Sequence, residues 1–238
     1  MTASANRDIV GAWGSSSQLR SAWEVQKVVG EGRISYPAPG VMEVAYAAGG
    51  SGGPETSGAS FIGHFVAPIS APVMLEFEAW VPESFDAVKG GKFGGGLRGG
   101  WRKSSGGADM SHGLSWSTRT GFLPDQDNEY INLVPYIYVA NKPTEMGWIP
   151  TQGIKIKKGE WASIGIGVAL NTPGVADGVL YFTVNGVTVS VPGILYRNDA
   201  SVLIDAMWFD TFFGGNGPAA APSTTQFARF RNPRTRAI

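Results

Sequence analysis

Between residues 89 and 100 the chain reads KGGKFGGGLRGG, which sets Lys89, Lys92 and Arg98 among glycines. Farther on, LSWSTRTGF carries Ser117 and Arg119, and PYIYV carries Tyr136 and Tyr138. Cations spaced by residues without side chains can close on an anion. Two anions come to mind: a phosphate cradled by a glycine-rich loop, or the carboxylate of a sugar acid lying in a groove. The first finds little support. A phosphate-binding P-loop needs Gly-x4-Gly-Lys-Ser/Thr opening a helix, whereas Lys92 is followed by Phe93 and more glycine, with no helical pattern behind it. A dinucleotide fingerprint needs a parallel βαβ unit, and none is visible. Glycine gives up side-chain contacts and costs conformational entropy, so the stretch reads as a flexible loop that follows a strand.

Those side chains need elements to hold them, and the pattern offers strands. VMLEFEAW (73–80) alternates, with Leu75 and Phe77 on one side and Glu76 and Glu78 on the other. In LSWSTRTGF (114–122), Trp116 points one way and Ser117 and Arg119 the opposite way. YINLVPYIYV (130–139) puts Tyr136 and Tyr138 on one face with Ile137 and Val139 behind, and Pro135 marks an edge or a bulge. GVLYFTVNGVTVSV (178–191) is two β runs joined by Asn185-Gly186, the preferred type I′ hairpin turn. With VMEVAYAA, ASFIGHFV, ASIGIGVAL, VLIDAMWFDTFF and QFARFR, the count comes to about ten strands separated by turns. No helical period is long enough for a major helix. The expected fold is all-β: an antiparallel β-sandwich or jelly roll in a single domain. Residues 1–40 form an N-terminal extension with the first strands and 41–238 the jelly roll proper. The stretches GGSGGPETSG (49–58) and GGNGPAAAPSTT (214–225) read as mobile loops.

The composition sets outer bounds. The chain has 238 residues, 43% hydrophobic and only 16% charged, which suits a large core and not a disordered chain. Formal net charge is zero, so no overall field recruits nucleic acid or an anionic membrane. Without cysteine there is no disulfide, thiolate metal site or cysteine nucleophile, and no His/Asp/Glu cluster has metal-ligand spacing. The opening MTASANRDIVGAWGSSSQ lacks the apolar core of a signal peptide, so cytoplasmic synthesis is expected, and no apolar run approaches bilayer length.

FEAWVPESFDAVKGGKFGGGLRGG, LSWSTRTGF, PYIYV and FDTFFGGNG occur in that order. Together they resemble the alginate and glucuronan lyases of polysaccharide lyase families fourteen and twenty, over roughly residues 40 to 231. In that pattern a strand ending in Gly-Gly-Lys-Leu-Pro-Gly-Leu is followed by a Ser-Thr-Arg strand, Tyr-x-Tyr, and Phe-x-Thr-Phe-Phe-Gly-Gly. The resemblance implies a jelly roll and puts the family lysine on Lys92, the serine and arginine on Ser117 and Arg119, and the paired tyrosines on Tyr136 and Tyr138. This chain departs from the pattern in three places. Gly94 to Gly96 replace the Pro-Gly step, Thr120, Gly121 and Phe122 follow the arginine, and LPDQDNEYI looks inserted between the two site strands.

The implied reaction is β-elimination on a uronate polymer. A base takes the C5 proton beside the carboxylate, its electron pair forms the C4=C5 double bond, and the C4–O bond breaks as an acid protonates the leaving oxygen. The carboxylate must be neutralised, by Arg119 as a bidentate fork and Lys92 as a point charge. Tyrosine can serve as base or acid, but its ordinary pKa is about 10, and two cations in a partly desolvated cleft are expected to lower it. Lys92, Arg119, Tyr136 and Tyr138 are thus the candidate catalytic residues, with Ser117, His64, Arg98, Tyr196 and Arg197 as candidate substrate contacts and no cofactor.

Each residue also has a plain reading. Lys92 would be a solvated lysine, the tyrosines packed aromatics, Ser117 and Arg119 a cross-strand polar ladder, and His64 a structural histidine. Two function classes therefore stand side by side. One is an active lyase on an acidic polysaccharide. The other is a non-catalytic carbohydrate-binding or virion-surface protein, a capsid or tail decoration that reuses the fold and meets other virion proteins.

Overall fold

The computed structural model describes residues 13–238 and the backbone of Arg7–Asp8; residues 1–6 and 9–12, part of the sequence-defined extension, lie outside the described residues. In chain order the elements are β1 (Arg7–Asp8), α1 (Ser16–Trp23), β2 (Val28–Val29), β3 (Ile34–Ala38), β4 (Val41–Tyr46), β5 (Ala59–Ile69), β6 (Val73–Trp80), β7 (Gly91–Gly100), β8 (Ser115–Pro124), β9 (Tyr130–Tyr138), β10 (Ile154–Lys157), β11 (Ala162–Ala169), β12 (Gly178–Val184), β13 (Val187–Ile194), β14 (Ile204–Phe213) and β15 (Gln226–Ala237). They form two antiparallel sheets. One runs β13-β12-β11-β6-β15-β4-β3 with β1 added beside β15, and the other runs β10-β9-β8-β7-β14-β5-β2. This is the expected all-β sandwich.

Alternation does the work it promised. In β4 and β12 every second residue is buried, which is the mark of a strand with one face on a core. The β12–β13 hairpin turns on Asn185 and Gly186, both at positive φ (48° and 81°), as a type I′ turn requires. Between the sheets sits an aromatic core: Phe209 stacks on Phe61 at 4.7 Å and meets Phe230 and Trp13 edge-on at 5.0 and 5.5 Å.

Three features differ from the sequence reading. The glycine-rich 91–100 run is not a flexible loop but β7, a central strand between β8 and β14. A Cβ at Gly94 or Gly95 would come within 2.7 Å of Phe77 or Leu75, so these glycines let the strand press against the rings of the opposite sheet. Second, α1 was not anticipated. Ser15 caps it by accepting the Gln18 N–H, and Leu19 and Trp23, one turn apart, enter the core. The described part of the extension thus packs into the same core as the jelly roll. Third, the 49–58 segment is fastened: the Gly52 N–H donates to the Phe213 carbonyl at 2.9 Å and Arg33 Nε to that of Gly58 at 2.7 Å.

Candidate active site

The face of the seven-stranded sheet that turns away from the core collects the chemistry. Trp116, Phe122, Phe93, Leu97, Ile137 and Phe209 point into the core. Their alternates Ser117, Arg119, Lys92, Arg98, Tyr136, Tyr138, Trp208 and Asp210 therefore share the other side. The register lines them up. Ser117 stands opposite both Tyr138 and Arg98, and Ala206 stands opposite both Arg98 and His64. That row crosses five strands, about 19 Å at ordinary strand spacing. Next to it, Arg119 stands opposite Tyr136 and Gly96.

The centre of the cluster is tightly built. Lys92 Nζ lies 3.3 Å from the centre of the Tyr136 ring, a cation–π contact. Arg119, only 3% exposed, donates from Nη1 to Asp210 Oδ2 at 2.8 Å. Its guanidinium also faces the rings of Trp208, Tyr138 and Tyr136 at 4.7, 5.4 and 5.8 Å. To reach Asp210 on β14 from β8 it must cross β7, and it crosses at Gly96. A Cβ there would lie 2.1 Å from the Thr118 carbonyl oxygen and 3.1 Å from Arg119 Cγ. Two loops close over the tyrosines: the Gly147 N–H donates to Tyr136 Oη at 3.1 Å and the Gly107 N–H to Tyr138 Oη at 3.3 Å.

The electrostatics separate the groups. Burial, aided by the neighbouring Arg119 charge, pushes the Lys92 ammonium well below the ordinary lysine value, against the pull of Asp210. Burial raises the Asp210 carboxyl in spite of Arg119 and Lys92. The Tyr136 phenol is also raised, first by burial and then by Tyr138, with the Gly147 amide and Arg119 pulling the other way. The expectation that two cations lower this tyrosine is therefore corrected: desolvation outweighs them, and it is the lysine that is driven toward its neutral form.

The remaining candidates divide. Arg98 stays on the cluster face, over Trp208 at 5.6 Å. His64 is exposed at the edge, beside a hollow of about 280 Å³ that it lines with Trp208 and Lys27. Ser117 shares the face but offers no free hydroxyl: it is fully buried and donates to the Ser104 carbonyl at 2.7 Å, tying down the 101–114 loop. Tyr196 and Arg197 do not line the cleft. Tyr196 is a core residue, packed edge-on against Trp116 at 5.1 Å. Arg197 spends its donors on the carbonyls of Asn171, Ala200 and Val202. Sequence reasoning missed Asp210 and Trp208. The signal was present, since an aspartate inside the apolar run WFDTFF is a buried charge that demands a partner.

A family model for polysaccharide lyase 14 matches residues 37–233. Exolysin of Paramecium bursaria Chlorella virus 1 is 26% identical over 192 residues, which are 69% of this chain and 29% of that protein, so the chain spans under a third of this relative's length. Among solved structures, the alginate lyase Aly36B, as a double mutant in complex with alginate trisaccharide, has a TM-score of 0.82 at 22% identity over 98% of this chain and 97% of its own. The marine alginate lyase from Aplysia kurodai has a TM-score of 0.77 at 22% identity over 98% of each chain. At such identity these structures speak for a shared fold. The family match covers the strands that carry Lys92, Arg119, Tyr136, Tyr138 and Asp210, and of the two families that the motifs resemble it selects one: the chain belongs to polysaccharide lyase family 14.

Proposed function

We propose that the protein is a polysaccharide lyase that cuts an acidic, uronate-containing polymer of the alginate class by β-elimination. The observation that carries this reading is the convergence of a desolvated lysine, a paired arginine and two tyrosines on one sheet face in a chain of this family. The pKa directions suggest the division of labour. Lys92, pushed toward the free amine, takes the C5 proton. A tyrosine that stays protonated, as Tyr136 does, can deliver one to the leaving C4 oxygen. Groups whose environments drive their pKa values apart are suited to opposite roles. Arg119 supplies positive charge where the carboxylate gains electron density.

Wild-type protein incubated with alginate or glucuronan should release oligosaccharides with an unsaturated uronate end, followed by the absorbance of the new double bond. Lys92→Ala and Tyr136→Phe should lower the rate by about a hundredfold or more, the scale of losing one preorganised group. Binding without release of unsaturated product by the wild type would leave a carbohydrate-binding module in place of an enzyme. As a separate part of the proposal, the protein acts on its polymer as cargo of a virus particle. The viral origin of the Exolysin relative supports this, and absence of the chain from purified particles of its source would remove it.

A further inference from the structure

In this division of labour Asp210 has no step to perform, yet it is the most deeply committed charge on the face. Its carboxylate and the guanidinium it holds are 3% and 4% exposed. Removing two charged groups from water is costly, and a sheet that needed only stability could have filled the space with apolar side chains. The pair is also held by more than itself. Trp208, two residues earlier on β14, faces the guanidinium at 4.7 Å and is anchored by its indole N–H, which donates to Ser60 Oγ at 3.1 Å. Ser60 in turn donates to the Phe209 carbonyl at 3.2 Å. On the other side Arg119 meets the two tyrosine rings. Among the described residues, Nη1 is the one nitrogen of this guanidinium with a hydrogen-bond partner. The Nε–H is buried and has none among the described residues. Five other buried side-chain atoms share this state among the described residues, Ser104 Oγ of the overlying loop included, so the open donor shows only that Asp210 does not use up the guanidinium's hydrogen-bonding capacity.

We propose that Asp210 is the positioning residue of this site: from β14 it grips Arg119 across the bare backbone of Gly96 and holds the guanidinium charge in place for the uronate carboxylate. The inference rests on the lyase reading and deepens it. Asp210 touches neither polymer nor transferred proton; it acts through Arg119 and through its charge beside Lys92. Freed of Asp210, the guanidinium would keep its ring contacts but lose its hydrogen-bonded anchor, and lining it up in the transition state would cost more in every turnover. The charged and titratable groups around Asp210 are Lys92 of β7 and Arg119 of β8, with Tyr136 and Tyr138 of β9 behind Arg119.

The test compares the full chain with Asp210→Asn, which keeps shape and one acceptor but removes the charge. On alginate, kcat should fall by tenfold or more while KM changes less than about threefold, the signature of an interaction used in the transition state. In the same proteins without polymer, Lys92 is observed by NMR after reductive ¹³C-methylation and assigned by its loss in Lys92→Ala. Its titration in Asp210→Asn should move to lower pH by about half a unit or more, because the anion that favours the ammonium is gone. The acid limb of the rate profile should move the same way, and a merely structural carboxylate would move neither. A folded Asp210→Asn protein with wild-type kcat and wild-type Lys92 titration overturns the proposal. Should the variant fail to fold, a wild-type crystal soaked with an alginate oligosaccharide decides: Arg119 still on Asp210 with a uronate carboxylate beside its guanidinium supports it, and Arg119 turned off Asp210 overturns it. If the wild type cuts no uronate polymer, the lyase reading fails, and the Lys92 titration still tests whether Asp210 governs its neighbours.

Discussion

Arginine meets carboxylate on both sheets of this protein, with opposite results. On the outer face of the eight-stranded sheet, Arg229, Arg231, Arg234 and Arg236 of β15 each donate an Nε–H to Glu43, Glu78 or Glu76 at 2.6–2.7 Å. On the seven-stranded sheet, Arg119 meets Asp210 at 2.8 Å. By distance the outer ladder is the stronger set. Yet its arginine side chains are 36–54% exposed, and water screens them. The carboxylates show the difference. Burial alone would raise Glu76, but hydrogen bonds from Arg236 and Arg234 and their charges outweigh it, and Glu76 ends below its ordinary value. At Asp210 burial wins and the carboxyl ends above it. The lesson is that contact length says little about what an ion pair does; the medium around it decides whether it decorates a surface or organises a site. A hollow of about 750 Å³ also lies on the ladder side, lined by Tyr181, Arg234 and Arg236, so neither hollow size nor charge density alone locates the chemistry.

This contrast can be broken experimentally, and the largest effect should come from the buried pair. Arg119→Met should cost about 3–5 kcal/mol in denaturant unfolding, because it leaves Asp210 buried with its main partner gone. The deficit should shrink as pH falls. Asp210, already raised, then takes up a proton in the folded variant, and a neutral carboxyl is cheaper to bury than a charged one. A loss that is constant with pH would mean that Asp210 finds another partner. A comparable effect is expected at Gly96→Ala: its β-carbon would meet the Thr118 carbonyl oxygen at 2.1 Å, so the β7–β8 pairing must shift, at a cost above the ~1–3 kcal/mol of ordinary overpacking. Cleavage should fall with it, since the new methyl occupies the path of Arg119; wild-type cleavage would show that the crossing is not needed. The smallest effect belongs to the ladder. Arg234→Ala should change stability by less than about 1 kcal/mol, and by less still in high salt. The contribution of Glu76 is present above the ordinary carboxylate pKa and is lost as pH falls through its lowered folded value, so the mutant difference should vanish in acid. A loss of several kcal/mol at Arg234 would place the ladder in the same class as the buried pair and end the distinction.

Much of this architecture was legible before any coordinates. Period-two runs such as VMLEFEAW and the Asn185-Gly186 turn encode their structure locally, and Lys92, Arg119, Tyr136 and Tyr138 do converge on one face. What stayed hidden depends on contacts between distant residues. Glycine is a poor strand former on its own, so β7 is recognisable only once Phe77 and Leu75 of the other sheet are seen to need the space. Tyr196 looked like a cleft residue beside an arginine, but the Asn171 side chain, accepting the backbone N–H groups of Tyr196 and Arg197, sets that segment so that its ring enters the core. Asp210 was read as part of a strand and not as a charge, because nothing nearby in sequence announces a guanidinium 91 positions away.

The register of β7 has a consequence for how this stretch can change over time. Between Lys92 and Gly96 the strand takes four steps where β8 takes two, while β14 keeps step with it throughout, so the irregularity holds two residues surplus to β8 alone. Two is an even number, and the inside–outside rhythm survives it: Lys92 and Arg98 open toward the cluster, while Phe93 and Leu97 stay inside. The limit on change here is β14, which pairs with β7 step for step across this stretch, so a residue added or lost between 93 and 96 must be matched on β14 or bulged out against it.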